Sequence, residues 1–190
     1  MQLRVLGVGG MPASGKTTIV RQFMTELGQS QRCRIGLLRY HHFVNCNLWV
    51  LGVYDETPRG FSGTDRLSMA VQKQVQDVLF FLSHTQHSQE LVRILFEGDR
   101  LFTLSFLKYI QQLPQTSCRW FLVHCDEALL AVRHRQRQDS RSETWLKGRQ
   151  TKLASIARQL VCQSVRHETL GDTQTCVAEI RQWLMVGESG

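Results

Sequence analysis

The sequence predicts an α/β sandwich built around a mostly parallel sheet. Three observations carry that reading. Short apolar runs alternate along the chain with longer helical patterns. The first apolar run leads straight into a glycine-rich turn and a helix. No repeat, low-complexity tract or Pro/Ser-rich linker divides the 190 residues, so residues 1–190 read as one domain.

Taken in order, Leu3 to Val8 reads as a buried strand and Lys16 to Leu27 as the helix after the turn. Arg34 to Tyr40 reads as a second strand. Leu48 to Tyr54 reads as a third, with Leu48, Val50 and Gly52 alternating against Trp49, Leu51 and Val53. From Leu67 to Leu82 the apolar residues Leu67, Ala70, Val71, Val75, Val78, Leu79 and Leu82 fall at helical spacing. Leu91 to Phe96 is a strand, and Phe102 to Leu113 a helix stopped by Pro114. Arg119 to His124 is the next strand, followed by a long polar helical region from Glu127 to Leu160. A last strand near Ser164 to Leu170 precedes a helix over Thr173 to Met185.

Composition narrows the function classes. The chain is 42% hydrophobic and 21% charged, ordinary for a globular protein. Its apolar runs are far shorter than the roughly 20 residues that cross a bilayer, and the N-terminus has no secretory pattern. No membrane partner is expected. The six cysteines form no C-x-x-C pair and no zinc-ligand spacing. They read as reduced thiols of a cytoplasmic protein. Lys plus Arg number 23 against 16 Asp plus Glu, a net charge of +7, which favours polyanionic partners.

The most specific signal follows the first strand: Gly10-Met11-Pro12-Ala13-Ser14-Gly15-Lys16-Thr17, with Thr18 next in the helix. This is the complete G-x-x-x-x-G-K-[ST] phosphate loop in its strand–loop–helix setting. The turn directs backbone N–H groups at phosphate, and the helix dipole adds positive potential there. Lys16 is placed to reach the β and γ phosphates, and the Thr17 hydroxyl to ligate Mg²⁺. A P-loop fold binding a nucleoside triphosphate, ATP with Mg²⁺, is therefore expected: a three-layer sandwich with a helical lid.

A GTPase would carry N-K-x-D after a later strand, where this chain has Val123-His124-Cys125-Asp126-Glu127. The strand end Ile94-Leu95-Phe96-Glu97-Gly98-Asp99-Arg100 has a single acid, then glycine, then Asp-Arg, which looks like the small-molecule and nucleotide kinase branch. Glu97 is the candidate for orienting Mg²⁺ or acting near the acceptor, against a plain capping role. Asp99 is either functional or a cap for a helix beginning near Leu101. For the acid that takes the acceptor proton, Asp65 in Gly63-Thr64-Asp65-Arg66-Leu67-Ser68 is favoured over Asp55, although Asp65 also fits a helix N-cap. Tyr40, Tyr54 and Phe61 are candidates to stack on an acceptor base, and His41 and His42 to contact acceptor phosphate.

A basic lid region spans about residues 127–152. Between Arg133 and Lys152, seven positive residues face Asp139 and Glu143, a net +5. Arg133 and Arg137, spaced i, i+4, share a helix face and are the candidate lid pair over the transferring phosphoryl group. Arg141 is the next choice, and Arg149 and Lys152 suit an acceptor backbone. The turn Leu170-Gly171-Asp172-Thr173 opens the last helix, where this fold often places the adenine.

Together the loop GMPASGKT, the segment LGVYDETPRGFSGTDRLSM, the strand end LFEGDR and the later WLKGRQTK resemble phage-type 5-hydroxymethyluracil DNA kinases, over roughly residues 3 to 185. The resemblance implies ATP-dependent phosphorylation of a hydroxymethylated pyrimidine within DNA, during thymidine hypermodification in the host cytoplasm. It implies ATP and Mg²⁺ use through Lys16 and Thr17 and active-site roles for Asp65 and Glu97. Two other readings remain at this level: a kinase of a free nucleoside or nucleotide, and a DNA-stimulated ATPase or switch with no phosphoryl acceptor.

Overall fold

The computed structural model describes residues 2–54, 62–85, 90–136 and 142–186. Among these, seven strands form one sheet: β1 (Gln2–Gly10), β2 (Gln31–Ile35), β3 (Leu38–Phe43), β4 (Leu48–Leu51), β5 (Leu91–Glu97), β6 (Thr116–His124) and β7 (Cys162–Arg166). Their order is β2-β3-β4-β5-β1-β6-β7. The five strands from β4 to β7 in that order are parallel. β2 and β3 form an antiparallel hairpin joined to β4 at one edge.

Helices α1 (Lys16–Leu27), α2 (Val71–His84), α3 (Leu104–Gln111), α4 (Glu127–Gln136), α5 (Glu143–Gln159) and α6 (Leu170–Arg181) complete the fold. Two apolar cores lie on opposite faces of the sheet. On one face α2, α3 and α5 contribute Val71, Val75, Leu79, Phe106, Ile110 and Ile156 against Val5, Ile94, Phe96 and Trp120. On the other, α1 and α6 contribute Ile19, Val20, Phe23, Val177 and Ile180 against Leu6, Val8, Leu95, Phe121 and Val123. The strand pattern produces this directly, because neighbouring side chains in a strand point to opposite faces. The three-layer sandwich expected from the sequence is present. α4 buries none of its residues. No helix among the described residues is long and apolar enough to cross a membrane, and the six cysteines are free thiols.

Several expected boundaries change. The single strand expected over Arg34 to Tyr40 is two strands, folded back through the two-residue turn Gly36-Leu37. Gly36 sits at φ 54, a conformation that a β-carbon disfavours and a tight hairpin requires. The helix expected from Leu67 begins at Val71, because Thr64–Arg66 forms a 3-10 turn whose carbonyl at Thr64 holds the Leu67 N–H. The helix expected from Phe102 starts at Leu104, where the Thr103 side chain accepts from the Phe106 N–H as N-cap. The long helical region after β6 is two helices, α4 and α5, the second capped by Ser142. The last helix begins at Leu170 rather than Thr173, under a capping box of Thr169 and Asp172.

Candidate functional site

The site lies where β1 and β5 end side by side. Their parallel register sets Val8 level with Glu97, so the loop after β1 and the acid closing β5 meet at one edge. The loop curls through Gly10, Ala13 and Gly15, all with positive φ. Gly15 has a second constraint, since a β-carbon there would collide with the His167 imidazole. That ring is held by Thr173 Oγ1 at 2.9 Å from its Nε2, which locks the loop from the β7 side.

Lys16 is buried, and its Nζ donates to the carbonyls of Gly10 at 2.9 Å and Met11 at 2.8 Å. The ammonium is thus folded over the loop mouth. Burial lowers its pKa, while Glu97, Asp99 and Asp65 pull it upward. The Ser14 hydroxyl is buried with no hydrogen-bond partner among the described residues. An unsatisfied donor inside a ring of backbone amides fits a phosphate oxygen.

Thr17 Oγ1 donates to Glu97 Oε1 at 2.9 Å. Glu97 is 1% exposed, and desolvation raises its carboxyl to about 7 despite the nearby Lys16. A hydroxyl beside a carboxylate is a hard-oxygen pair of the kind Mg²⁺ accepts, with phosphate and water supplying the other positions. The residues present fit both a triphosphate and its Mg²⁺, through Lys16 and Ser14 for the first and Thr17 and Glu97 for the second. Among the described residues no group of three or more His, Cys, Asp or Glu is arranged to hold a metal.

Asp65 joins the same cluster, and the N-cap expectation for it does not hold. Its Oδ1 accepts from the Asp99 N–H at 2.7 Å and the Arg100 N–H at 3.3 Å, which ties the 3-10 turn to the loop after β5. Burial, then Asp99, raises its pKa, and Lys16 and the two amides oppose that rise. Thr64 Oγ1 donates to the Glu97 carbonyl at 2.6 Å, fixing Asp65 and Glu97 to each other. Asp99 caps no helix either. Its carboxylate pairs with Arg149 Nη2 at 2.6 Å.

Tyr54 is buried with its hydroxyl unpartnered among the described residues, close to Glu97 and Asp65, whose charges add to burial in raising its pKa far above 10. Tyr40 instead stacks on Trp49 in the sheet, ring centroids 4.5 Å apart. His41 contacts Ser30 and lies edge-on to Tyr54, and His42 contacts Asn47 and Trp49. Arg133 is on α4, and its guanidinium donates to the carbonyls of His167 at 3.2 Å and Glu168 at 3.4 Å. It therefore sits on the loop after β7 rather than among the acids. Among the described residues of the basic region, Arg149, on α5, reaches them through Asp99. Asp55, Phe61, Arg137 and Arg141 lie outside the described residues.

Beside the loop, an apolar cavity of about 320 Å³ runs from Gly10, Met11 and Ser14 past Val123 to Leu153 and Ala157 of α5. Its walls have the character a nucleobase needs.

The glycine-rich loop, its lysine and the central position of β1 between β5 and β6 decide the fold. It is a P-loop fold. No protein-family model matches the chain, and no curated protein matches it in sequence. Solved structures match it in shape over nearly the whole chain. An unliganded sugar kinase from Janibacter sp. HTCC2649 is 12% identical, covering 97% of this chain and 96% of its own, with a TM-score of 0.49. Shikimate kinase from Bacteroides thetaiotaomicron is 11% identical, covering 96% and 98%, with a TM-score of 0.45. An uncharacterized protein from Eubacterium ventriosum ATCC 27560 is 12% identical, covering 95% and 97%, at 0.43.

One residue, His167, and one pairing, Asp99 with Arg149, escaped sequence reasoning. His167 stands alone after the last strand, and nothing local marks it as the wall behind Gly15. Asp99 and Arg149 are 50 residues apart, and only the crossover from β6 to β7 brings α5 above the end of β5. The one sequence signal for Arg149 was its place in the basic region.

Proposed function

We propose that this chain is an ATP-dependent phosphotransferase, and that its acceptor is the hydroxymethyl group of 5-hydroxymethyluracil in DNA. One observation supports the reaction: Thr17 and Asp65 converge on the buried Lys16 and Glu97 in a single cluster at the P-loop. The acceptor reading rests on the sequence resemblance; the positive charge of the lid region would serve a P-loop kinase of any acceptor.

In the transfer, a bond forms between the acceptor oxygen and the γ phosphorus, and the bond to the β–γ bridging oxygen breaks. Asp65 takes the acceptor proton. Its raised pKa makes it a stronger base than an exposed aspartate. Lys16 leaves its two loop carbonyls to neutralise the β and γ oxygens. Thr17 and Glu97 hold the Mg²⁺, which offsets charge on the phosphates when bound. Arg149, buried against Asp99, supplies positive charge from the lid side, and Arg133 and Arg137 remain candidates to close over the phosphates. An acceptor base inside a duplex must leave the stack to reach this depth.

The test is mass spectrometry of hydroxymethyluracil DNA and of free nucleosides after incubation with ATP and Mg²⁺. A phosphorylated base in the DNA supports the reading. Phosphate found only on free nucleosides removes the DNA acceptor, and ATP hydrolysis with no phosphorylated product removes the transferase.

A further inference from the structure

Between Glu26 and Asp55 the sequence contains no acidic residue, yet it holds Arg32, Arg34, Arg39, His41 and His42. The hairpin turns this local bias into a surface. Its register places Arg34 directly across from Arg39, and Arg32 directly across from His41. Cross-strand partners share a face, as do residues two apart. Arg32, Arg34, Arg39 and His41 therefore stand on one face of β2 and β3. The three arginines are exposed, and with His41 and Gly52 they line a hollow of about 280 Å³.

Two arginines directly opposed repel each other and cost stability. Protection of the sheet edge against aggregation accounts for charge on β2, the edge strand. It does not account for β3, which is paired on both sides and still adds Arg39 and His41 to the same face.

Position ties this face to the candidate site. Arg39 lies beside Gly52, whose N–H donates to the Arg39 carbonyl at 2.8 Å. That is the end of β4 from which the chain enters Val53 and Tyr54. The hairpin tip is anchored to α2 by Gln74, which accepts from the Leu37 N–H. His41 meets the ring of Tyr54 at 5.9 Å, and the Tyr54 hydroxyl faces the pocket of Glu97 and Asp65. The arginine face thus runs from the acceptor side of the acid cluster outward along the sheet.

We propose that this face binds the phosphodiester backbone of the acceptor strand and holds it while the target base enters the site. The proposal rests on the DNA phosphotransferase reading. Spacing favours a chain of phosphates over a single one: residues two apart on a strand are about 6.8 Å apart, so Arg32 and Arg34 address separate phosphate groups.

The experiment uses the full chain and the variant Arg34→Ala/Arg39→Ala. Binding of a fluorescent hydroxymethyluracil oligonucleotide is measured across a salt series, alongside ATP affinity, thermal unfolding and phosphate transfer. The variant is expected to bind the oligonucleotide about ten-fold more weakly or worse. Its log affinity against log salt should flatten by roughly 1.4, the value for two lost single-strand contacts. ATP affinity should stay within two-fold, and the melting temperature should hold or rise as the repulsion is relieved. Arg34→Lys/Arg39→Lys should restore the slope, and Arg32→Gln gives a second reading if the double variant does not fold.

Unchanged oligonucleotide affinity and slope, with the wild type still phosphorylating DNA, overturn the hairpin proposal and leave the function standing. A wild type that neither binds nor phosphorylates DNA, but phosphorylates a free nucleoside, overturns both.

Discussion

Asp65 shows how one side chain acquires a task from its surroundings. Two backbone amides hold its Oδ1, and burial beside Asp99 raises its pKa. Asp65→Asn keeps the accepting oxygen and removes the proposed base. Transfer is expected to fall by about 10²–10⁴, with ATP affinity within about three-fold; single-turnover kinetics and a nucleotide titration check both, and full transfer would remove Asp65 from the reaction.

Glu97 makes a prediction of the opposite kind, on stability. Its folded pKa of about 7 lies above that of a carboxyl in the unfolded chain. The folded protein therefore keeps a proton that the unfolded chain releases. The resulting stabilisation is complete below about pH 4 and is lost as pH rises through 7. Glu97→Gln escapes that loss, so it is expected to be more stable than the wild type by about 3 kcal/mol at pH 8 and nearly equal at pH 4. Urea unfolding without nucleotide at both pH values measures this. A constant difference across the range would place the carboxylate in a solvated setting.

At the scale of elements, α5 brings the Arg149 charge to the edge that holds Asp99, Glu97 and Asp65, and the hairpin brings the arginine face. Arg149 is buried, whereas the Asp99 side chain keeps 24% exposure. Breaking such a pair leaves a charge only partly compensated by water. Arg149→Met is expected to cost about 2–3 kcal/mol in thermal unfolding, at the low end for a buried pair because Asp99 stays partly wet. If Arg149 also serves the phosphates, kcat falls more than this variant's KM rises. An unchanged kcat in a folded variant would confine Arg149 to holding α5. Local pattern foretold α1, β1 and β5 well, because each is a continuous apolar or amphipathic run. It merged β2 with β3, since the lone glycine of Gly36-Leu37 is a weak turn signal within an apolar stretch.

Across the whole molecule, the +7 charge divides into three uses. Part lies in the region of α4 and α5, and part on the hairpin face. A third group is structural: Arg4 donates to the carbonyls of Trp183 and Leu184, each at 3.1 Å, and Arg93 to Leu184 at 2.7 Å and Cys46 at 2.8 Å. Arg4 and Arg119 also approach the Trp183 ring at 5.9 and 5.6 Å. These cations meet carbonyls of the helical turn Gln182–Val186 that follows α6, where positive charge is favourable, and fasten it to β1, β5 and β6. Trp183 is 5% exposed. Trp183→Ala is expected to cost about 3–5 kcal/mol by denaturant unfolding, while the P-loop, at the opposite end of β1, retains ATP binding in the folded fraction. A loss below about 1 kcal/mol would show that the surrounding side chains close over the space the indole leaves.

The phosphate loop was readable from the chain alone because its chemistry is contiguous: eight successive residues build the cradle, and the strand and helix beside it are short-range patterns. The sandwich followed from periodicity for the same reason. Composition gave the amount of positive charge but not its location. Folding alone could select Asp65 as the neighbour of Glu97, pair Asp99 with Arg149, set His167 behind Gly15 and oppose Arg34 to Arg39. Each of those relations depends on strand register or on a crossover that joins distant residues, and no local periodicity encodes them.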